Sequence, residues 1–296
     1  MVVKHLSFPL LCAIVSAQIG VFTIDPSIRH QTILGLGFEI QSDSIGSGNK
    51  GLPDTNTSVP LDLTPSERAR FYKDMLGGFR LCRLALGLYF RGLSADNKTL
   101  QDRWPGQSAL LAEMAEAAGL EGFALEYWSP APFWKSNGAY IGGRLRDPTN
   151  PSFLSDFASA VAADAQYLAA RGVTPSWWGL QNEPAVGCGG GCIYSCCCVP
   201  DSNYSLAFKA AAGAIRAAFP NAVIHASSWS GQYWSPSLAR DPAALALVDV
   251  SQRARARAQH RPYSHVSTHA SARTRRGLST AWALLATSKY GKPLTF

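Results

Sequence analysis

Apolar segments of two kinds alternate along the chain: short runs of strand length and longer runs with helical spacing. The strand-like runs span residues 33–40, 79–88, 122–128, 173–181, 222–226, 263–269 and 292–296. The helical runs begin near residue 64 and then cover 107–118, 151–171, 201–219, 236–247 and 277–290. This alternation predicts a mostly parallel sheet covered by helices. Units of about 30–45 residues favour a (β/α)8 TIM barrel that is incomplete and ends in strand seven.

Local signals support several of these boundaries. The sequence Thr-Pro-Ser-Glu at 64–67 is a capping box with proline at the first helical position. Gly172 and Pro220 are expected to end the helices that precede them. The alternative, a doubly wound sheet, requires a glycine-rich phosphate turn after the first strand. Gly35-x-Gly37 lacks the third glycine and precedes no helix, which favours the barrel.

The first 17 residues have the pattern of a secretory signal peptide. A basic pair at 4–5 precedes an apolar run over 6–14, and small residues at 15 and 17 predict cleavage after Ala17. A buried first strand is the alternative, because the run is too short to span a bilayer. No other segment is long and apolar enough for a membrane. We therefore expect a secreted protein whose mature part is one partial barrel domain over 18–296.

The net charge of +7 comes from one stretch of the chain. Residues 251–276 contain seven arginines and no acidic residue. Without those seven, 20 of the 27 Lys and Arg remain, against 20 Asp and Glu. Because no aromatic platform is interleaved with the arginines, the pattern does not favour nucleic-acid binding.

Five of the seven cysteines lie within residues 188–198, in a glycine-rich segment. In an oxidising compartment this clustering predicts one or two disulfides that pin a loop, with the connectivity open. A metal site is the alternative, but Cys-x2-Cys pairs and a nearby histidine are lacking, so we expect no metal. Cys82 lies in an apolar strand and is expected to be a small buried residue.

Polar and aromatic residues occupy the expected carboxyl ends of several strands, where barrel enzymes carry their reactive groups. These residues are Asp43, Trp128, Asn182, Glu183 and His269. A glutamate at such a strand end can donate a proton to a glycosidic oxygen. An adjacent asparagine can hydrogen-bond a sugar 2-hydroxyl. A glutamate that merely caps the following loop is the alternative.

Four motifs resemble glycoside hydrolase family 30, particularly its endo-β-1,6-galactanase-like branch, with glucosylceramidases as more distant relatives. They are QTILGLGF at 31–38, RLALG at 83–87, WSP at 128–130 with WKSNG at 134–138, and WGLQNEP at 178–184. The last two motifs, in this order, are the specific part of a resemblance that covers roughly residues 20–296. It implies a secreted, monomeric, retaining O-glycoside hydrolase that acts on a β-linked polysaccharide and needs no metal or organic cofactor.

The resemblance also implies roles for single residues. Glu183 is the acid/base, Asp43 binds a sugar hydroxyl, Arg83 lies beneath the catalytic carboxylates, and Trp128 lines a sugar subsite. His269 matches the family's sixth-strand histidine, although alanine and serine follow where the family has an aromatic. The alternatives are a turn residue at Asp43 and a structural charge at Arg83, satisfied by backbone carbonyls. Trp128 and Trp134 could both be core residues, and of the two Trp128 is preferred for the site.

A retaining glycosidase needs two carboxyl groups about 5 Å apart. The resemblance places the second, a nucleophilic glutamate, at the end of strand seven, but no glutamate follows Glu183. We therefore expect the nucleophile to lie beyond Phe296, most of a side β-sandwich to be lacking, and the chain as given to be inactive and poorly stable. A carbohydrate-binding pseudo-enzyme or an inactive fragment is the alternative. The acid-free stretch 251–276 also departs from the family pattern.

Overall fold

The computed structural model describes residues 35–40, 42, 45, 63–189, 192–226 and 235–249, and a strand at 281–283. The strands are β1 (Leu36–Glu39), β2 (Leu81–Leu86), β3 (Gly92–Leu93), β4 (Leu100–Gln101), β5 (Gly122–Tyr127), β6 (Pro175–Gln181), β7 (Val223–Ile224) and β8 (Ala281–Ala283). The α-helices are α1 (Pro65–Arg70), α2 (Gln107–Ala118), α3 (Pro151–Ala169), α4 (Asp201–Ala218), α5 (Pro236–Ala239) and α6 (Pro242–Leu245).

One six-stranded sheet organises the described residues, with the strand order β7-β6-β5-β2-β1-β8. The five strands from β7 to β1 are parallel, whereas β8 pairs antiparallel with β1. Strands β3 and β4 form a separate antiparallel hairpin, which the sequence pattern does not predict. The fold is therefore mixed α/β around a parallel sheet, and the described strands do not close into a barrel.

Capping groups place the helices where the sequence predicts them. Thr64 accepts a hydrogen bond from the Glu67 backbone, and the Glu67 carboxylate accepts one from the Thr64 backbone N–H at 2.8 Å. This confirms the capping box before α1. The Asn150 side chain caps α3, and Gly172 follows that helix with a left-handed φ of 85°. Glycine adopts this conformation without the steric cost of a Cβ atom.

Two sequence-based assignments are wrong. The single helix expected over 236–247 is two short helices, because Pro242 has no N–H with which to continue the first. Asp241 caps the second helix through the backbone N–H groups of residues 243 and 244. The helix expected over 277–290 is replaced at 281–283 by strand β8. Its pairing satisfies N–H and C=O groups along the edge of β1 that would otherwise be unpaired.

The core lies between the sheet and the helices α3 and α4. Strand β5 is buried at every position, as expected for a parallel strand covered on both faces. Trp178 of β6 is fully buried, and its ring lies 6.2 Å from that of Phe208 on α4. Cys82 is fully buried, as its apolar strand predicts. Within the described ranges, no helix has the length and apolarity to cross a membrane.

Several sequence expectations lie outside the described residues. They are the signal peptide over 1–17, Asp43, the strand over 263–269 with His269, the arginine-rich stretch 251–276 and the strand over 292–296.

Candidate active site

The carboxyl ends of β2, β5 and β6 meet at one edge of the sheet. The Trp128 backbone N–H donates to Leu86 O at 2.8 Å, and the Asn182 N–H donates to Tyr127 O at 2.7 Å. Gly87 allows this close approach, since a Cβ atom there would lie 1.7 Å from Ser129 O. Its φ of 74° is also in the left-handed region. The strand ends therefore hold Trp128 and Asn182 side by side.

Glu183 follows β6 directly and has an unusual backbone conformation. Its φ is 44°, in the left-handed region that costs a residue with a Cβ atom roughly 1–2 kcal/mol. The side chain is half-buried and lines a small cleft together with Trp128, Asn182 and Tyr194. Strain of this kind concentrates at functional sites, where surrounding contacts hold the residue in place. Among the described residues Asn97 also has a positive φ, but Glu183 combines this conformation with a place in the cleft.

A buried ion-pair network lies beside this residue, centred on Arg83 of β2. The Arg83 guanidinium donates from Nε to Glu126 of β5 at 2.8 Å and from Nη2 to the same carboxylate. It also donates from Nη1 to Glu39 of β1. Only 11% of the Arg83 side chain and 4% of the Glu126 side chain is exposed, so these charges are largely removed from water. The ion pairs thus link three adjacent strands, β1, β2 and β5, across one face of the sheet.

The same guanidinium orients Asn182. Arg83 Nη2 donates to Asn182 Oδ1 at 2.7 Å. Because a guanidinium only donates hydrogen bonds, the asparagine must present its oxygen to Arg83 and turn its NH2 group elsewhere. The guanidinium also lies 5.9 Å from the centre of the Trp128 ring, within the range of a cation–π interaction. Arg83 therefore positions both neighbours of Glu183.

The network changes the acidity of its own members. Burial raises the pKa of Glu39, and the attraction of Arg83 offsets this only in part. Burial works against the charge of Arg83, but the attraction of Glu126 and Glu39 outweighs it and raises the pKa of the guanidinium. Arg83 consequently keeps its positive charge in a buried position.

The structure separates the candidates named from sequence. Arg83 donates to two carboxylates and an amide. Trp134 belongs to the core: its indole N–H donates to Lys98 O at 2.7 Å, and its ring packs against two phenylalanines of α3. Trp128 instead lines the cleft. Glu39 and Glu126 escape sequence reasoning, although a charged residue inside an otherwise apolar strand is a signal for each.

The cysteine-rich segment, residues 188–198, forms one wall of the cleft through Tyr194, Ser195 and Cys196. Two disulfides, Cys188–Cys198 and Cys192–Cys196, agree with the expectation of one or two bridges. Cys197 stays a buried free thiol, and burial raises its pKa to about 12. The described residues contain no cluster of three or more His, Cys, Asp or Glu side chains that could hold a metal ion.

Lys135 fastens this wall to the body of the protein. Its ammonium group donates to Ser129 Oγ at 2.9 Å and to the carbonyl oxygens of Tyr140 and Cys196, each at 2.6 Å. The residue is only 2% exposed, and burial lowers its pKa to about 8. All three donor positions of the ammonium group are used, so Lys135 ties the connection between β5 and α3 to the cysteine-rich segment.

Replacing Lys135 by methionine should lower the free energy of unfolding by about 3 kcal/mol. Methionine fills the space but leaves two carbonyl oxygens and a hydroxyl without their donor, and each buried group left so costs about 1–3 kcal/mol. Urea denaturation at pH 7 measures the change. Lys73→Met, at an exposed position, is the control and should change stability by less than about 0.5 kcal/mol. Equal effects of the two substitutions would contradict the role assigned to Lys135.

Comparison with solved structures shows which proteins share this architecture. The chain superposes on the glycoside hydrolase family 30 subfamily 8 xylanase from Clostridium acetobutylicum with a TM-score of 0.52 and 18% sequence identity. The match covers 76% of this chain and 50% of the xylanase. An endo-β-1,6-glucanase matches with a TM-score of 0.51 and 16% identity, over 68% of this chain and 45% of the glucanase.

By sequence, no family model and no curated protein matches the chain. The chain spans about half the length of the solved structures that it matches. At this identity the similarity establishes the fold, and the family 30 neighbour agrees with the family that the sequence motifs resemble. The described residues therefore form a mixed α/β fold around a parallel sheet of five strands, and the two solved structures that share it are glycoside hydrolases.

Proposed function

We propose that this chain is part of a secreted, retaining O-glycoside hydrolase that acts on a β-linked polysaccharide, with Glu183 as its acid/base. One observation carries the proposal: Glu183 is held in a strained conformation at a strand end, beside Asn182 oriented by Arg83 and in a cleft with Trp128. The two solved neighbours are named as a xylanase and an endo-β-1,6-glucanase, which supports a β-glycan as the substrate class.

The chemistry follows from the position of each group. The Glu183 carboxyl protonates the departing glycosidic oxygen and later deprotonates water. The Asn182 amide donates to a sugar 2-hydroxyl, a contact that strengthens at the oxocarbenium-like transition state. Trp128 supplies a flat apolar surface for a pyranose ring. These side chains need no metal or organic cofactor for proton transfer.

The remaining parts of the proposal concern the whole protein. We place the nucleophilic glutamate beyond Phe296, at the end of a seventh strand in a barrel that closes around the described sheet. Residues 1–17 are proposed as a signal peptide and 18–296 as part of the barrel domain. Two disulfides fit an oxidising, extracellular compartment. We propose an endo-β-1,6-galactanase-like specificity, a monomeric state, and Asp43 and His269 as further substrate contacts.

A carbohydrate-binding pseudo-enzyme is the second candidate, because the sequence contains no glutamate after Glu183. It would keep the same sugar contacts without the chemistry. Binding tests the part that both candidates share, whereas release of reducing ends tests catalysis alone.

Affinity electrophoresis of the 296-residue chain in gels containing β-1,6-galactan, β-1,6-glucan or β-xylan tests the proposal. We expect at least one polymer to retard the chain, and Trp128→Ala to reduce the retardation about tenfold through loss of the stacking surface. Trp177→Ala is the matched control, because Trp177 lies at the other end of β6, near Arg80 and Glu121.

Three outcomes would contradict the proposal. Retardation by none of the polymers, or equal losses in the two tryptophan variants, would contradict a sugar site at Trp128. With the nucleophile outside these residues, we expect no release of reducing ends. Hydrolysis that persists in Glu183→Gln would contradict the acid/base assignment.

A further inference from the structure

The loop closed by the Cys192–Cys196 disulfide presents two large apolar side chains to solvent at the edge of the candidate site. Ile193 is 87% exposed and Tyr194 is 38% exposed. The Tyr194 ring lies 5.4 Å from the Trp128 ring, at an angle of 65°. The two aromatic side chains together form a corner beside Glu183.

Backbone contacts hold this loop in a fixed position. Ser195 forms an antiparallel bridge with Ile141, and the Cys196 N–H donates to Tyr140 O at 3.1 Å. The Lys135 ammonium group donates a hydrogen bond to the Cys196 carbonyl oxygen at 2.6 Å. Tyr194 therefore stays exposed directly before a segment that is tied down at Ser195 and Cys196, as expected for a preformed binding surface.

Two buried polar groups that line the same cleft have no hydrogen-bond partner among the described residues. They are the Ser195 hydroxyl, on a residue that is only 2% exposed, and the Trp128 indole N–H. A buried donor left in this condition costs about 1–3 kcal/mol, so a small enclosed water is the expected partner of these groups. The exposed Tyr194 ring, in contrast, presents an apolar face of the kind that stacks on a sugar ring.

We propose that the exposed ring of Tyr194, beside Trp128 and Glu183, forms a subsite on which a sugar ring of the substrate stacks. The proposal rests on the proposed function, since it assumes that Glu183 donates a proton to the departing oxygen. The position follows from the cleft, which Tyr194 lines together with Trp128 and Glu183. Tyr194 supplies the stacking face.

Titration calorimetry of the 296-residue chain with β-1,6-galactotetraose and with xylotetraose tests the subsite. For a tetrasaccharide that binds, Tyr194→Ala should weaken the affinity about tenfold, whereas Tyr194→Phe, which keeps the ring, should stay within about twofold. The double variant Cys192→Ser/Cys196→Ser should weaken binding as much as Tyr194→Ala, because the platform is no longer pinned. Leu206→Ala on α4 is the control, since Leu206 has a similar exposure of 37%.

The outcomes separate this subsite from the proposed function. Tetrasaccharide binding that Trp128→Ala weakens but Tyr194→Ala does not would overturn the subsite and leave the proposed function standing. An equal loss in Tyr194→Phe and Tyr194→Ala would overturn the stacking role. Absence of binding by the unmodified chain to either tetrasaccharide would overturn the proposed function and the subsite together. Unfolding temperatures within a few degrees of the unmodified chain are required of the tyrosine variants, so that affinity alone is compared.

Discussion

Replacement of Arg83 by methionine is expected to lower the free energy of unfolding by about 3–5 kcal/mol. The substitution leaves the carboxylates of Glu39 and Glu126 without their counter-charge, and only 15% and 4% of those side chains is exposed. Two like charges, on the strands β1 and β5 that flank β2, then repel each other in a poorly hydrated space. Urea denaturation at pH 7 measures the loss.

The chain offers a matched control for this prediction. Arg80 pairs with Glu121 near the amino ends of β2 and β5, but 39% and 53% of these side chains is exposed. Because water screens exposed ion pairs, Arg80→Met should cost at most about 1 kcal/mol. Similar losses for the two arginine variants would contradict the inference that burial makes the Arg83 network costly to break.

A second measurement separates charge from packing. Combining Arg83→Met with Glu39→Gln and Glu126→Gln removes the stranded charges, so the triple variant should recover a large part of the lost stability. The deficit of Arg83→Met should also shrink as the pH falls towards 4, because protonation neutralises the two carboxyls. A deficit that persists in the triple variant and at low pH would point to lost packing of the arginine side chain instead.

Sequence reasoning predicts the regular elements best where local signals and apolar spacing agree. Helix α2 spans Gln107–Ala118, the residues expected from its alanine and leucine pattern, and the capping box before α1 is present. It fails where one residue outweighs the pattern: Pro242 divides a helix that the apolar spacing of 236–247 favours. It also fails for strand β8, whose conformation depends on pairing with β1, more than 240 residues earlier.

In the candidate site, too, local motifs are predicted from sequence and contacts between distant residues are not. Asn182 and Glu183 stand out in the sequence because their motif is contiguous and ends a predicted strand. The ligands of Arg83 do not, since Glu39 and Glu126 lie 44 and 43 residues away along the chain. Only the register of three parallel strands places them on one face. Lys135 likewise bonds to Cys196, which lies 61 residues further along the chain, so its contact cannot be predicted from the local sequence.

Asp164 of α3 is the other group whose charge strongly affects the core. Its Oδ1 accepts from the Leu100 backbone N–H at 2.6 Å, and its Oδ2 accepts from the Tyr127 hydroxyl at 2.7 Å. The residue is 4% exposed, and burial raises its pKa to about 7 despite these two hydrogen bonds. The carboxyl group thus connects the helix to β4 and β5 and titrates near neutral pH.

The sign of the resulting pH dependence follows from linkage. A carboxyl group whose pKa is higher in the folded state than in the unfolded state binds its proton more tightly when folded. Its contribution to stability is therefore fully present below about pH 4, the value for unfolded aspartate, and is lost as the pH rises to about 7. Three pKa units correspond to about 4 kcal/mol of unfolding free energy.

Asp164→Asn should remove this dependence while keeping the hydrogen bonds, because the amide oxygen can accept from Leu100 and the NH2 group can donate to the Tyr127 hydroxyl. Urea denaturation between pH 4 and pH 8 should show the unmodified chain losing about 4 kcal/mol relative to this variant as the pH rises. Asp156→Asn, exposed on the same helix, should instead follow the unmodified chain throughout. A difference between the unmodified chain and Asp164→Asn that stays constant, or that increases in favour of the unmodified chain, would show that the buried carboxyl is stabilised as an anion. In that case the hydrogen bonds from Leu100 and Tyr127 would outweigh the cost of burying the charge.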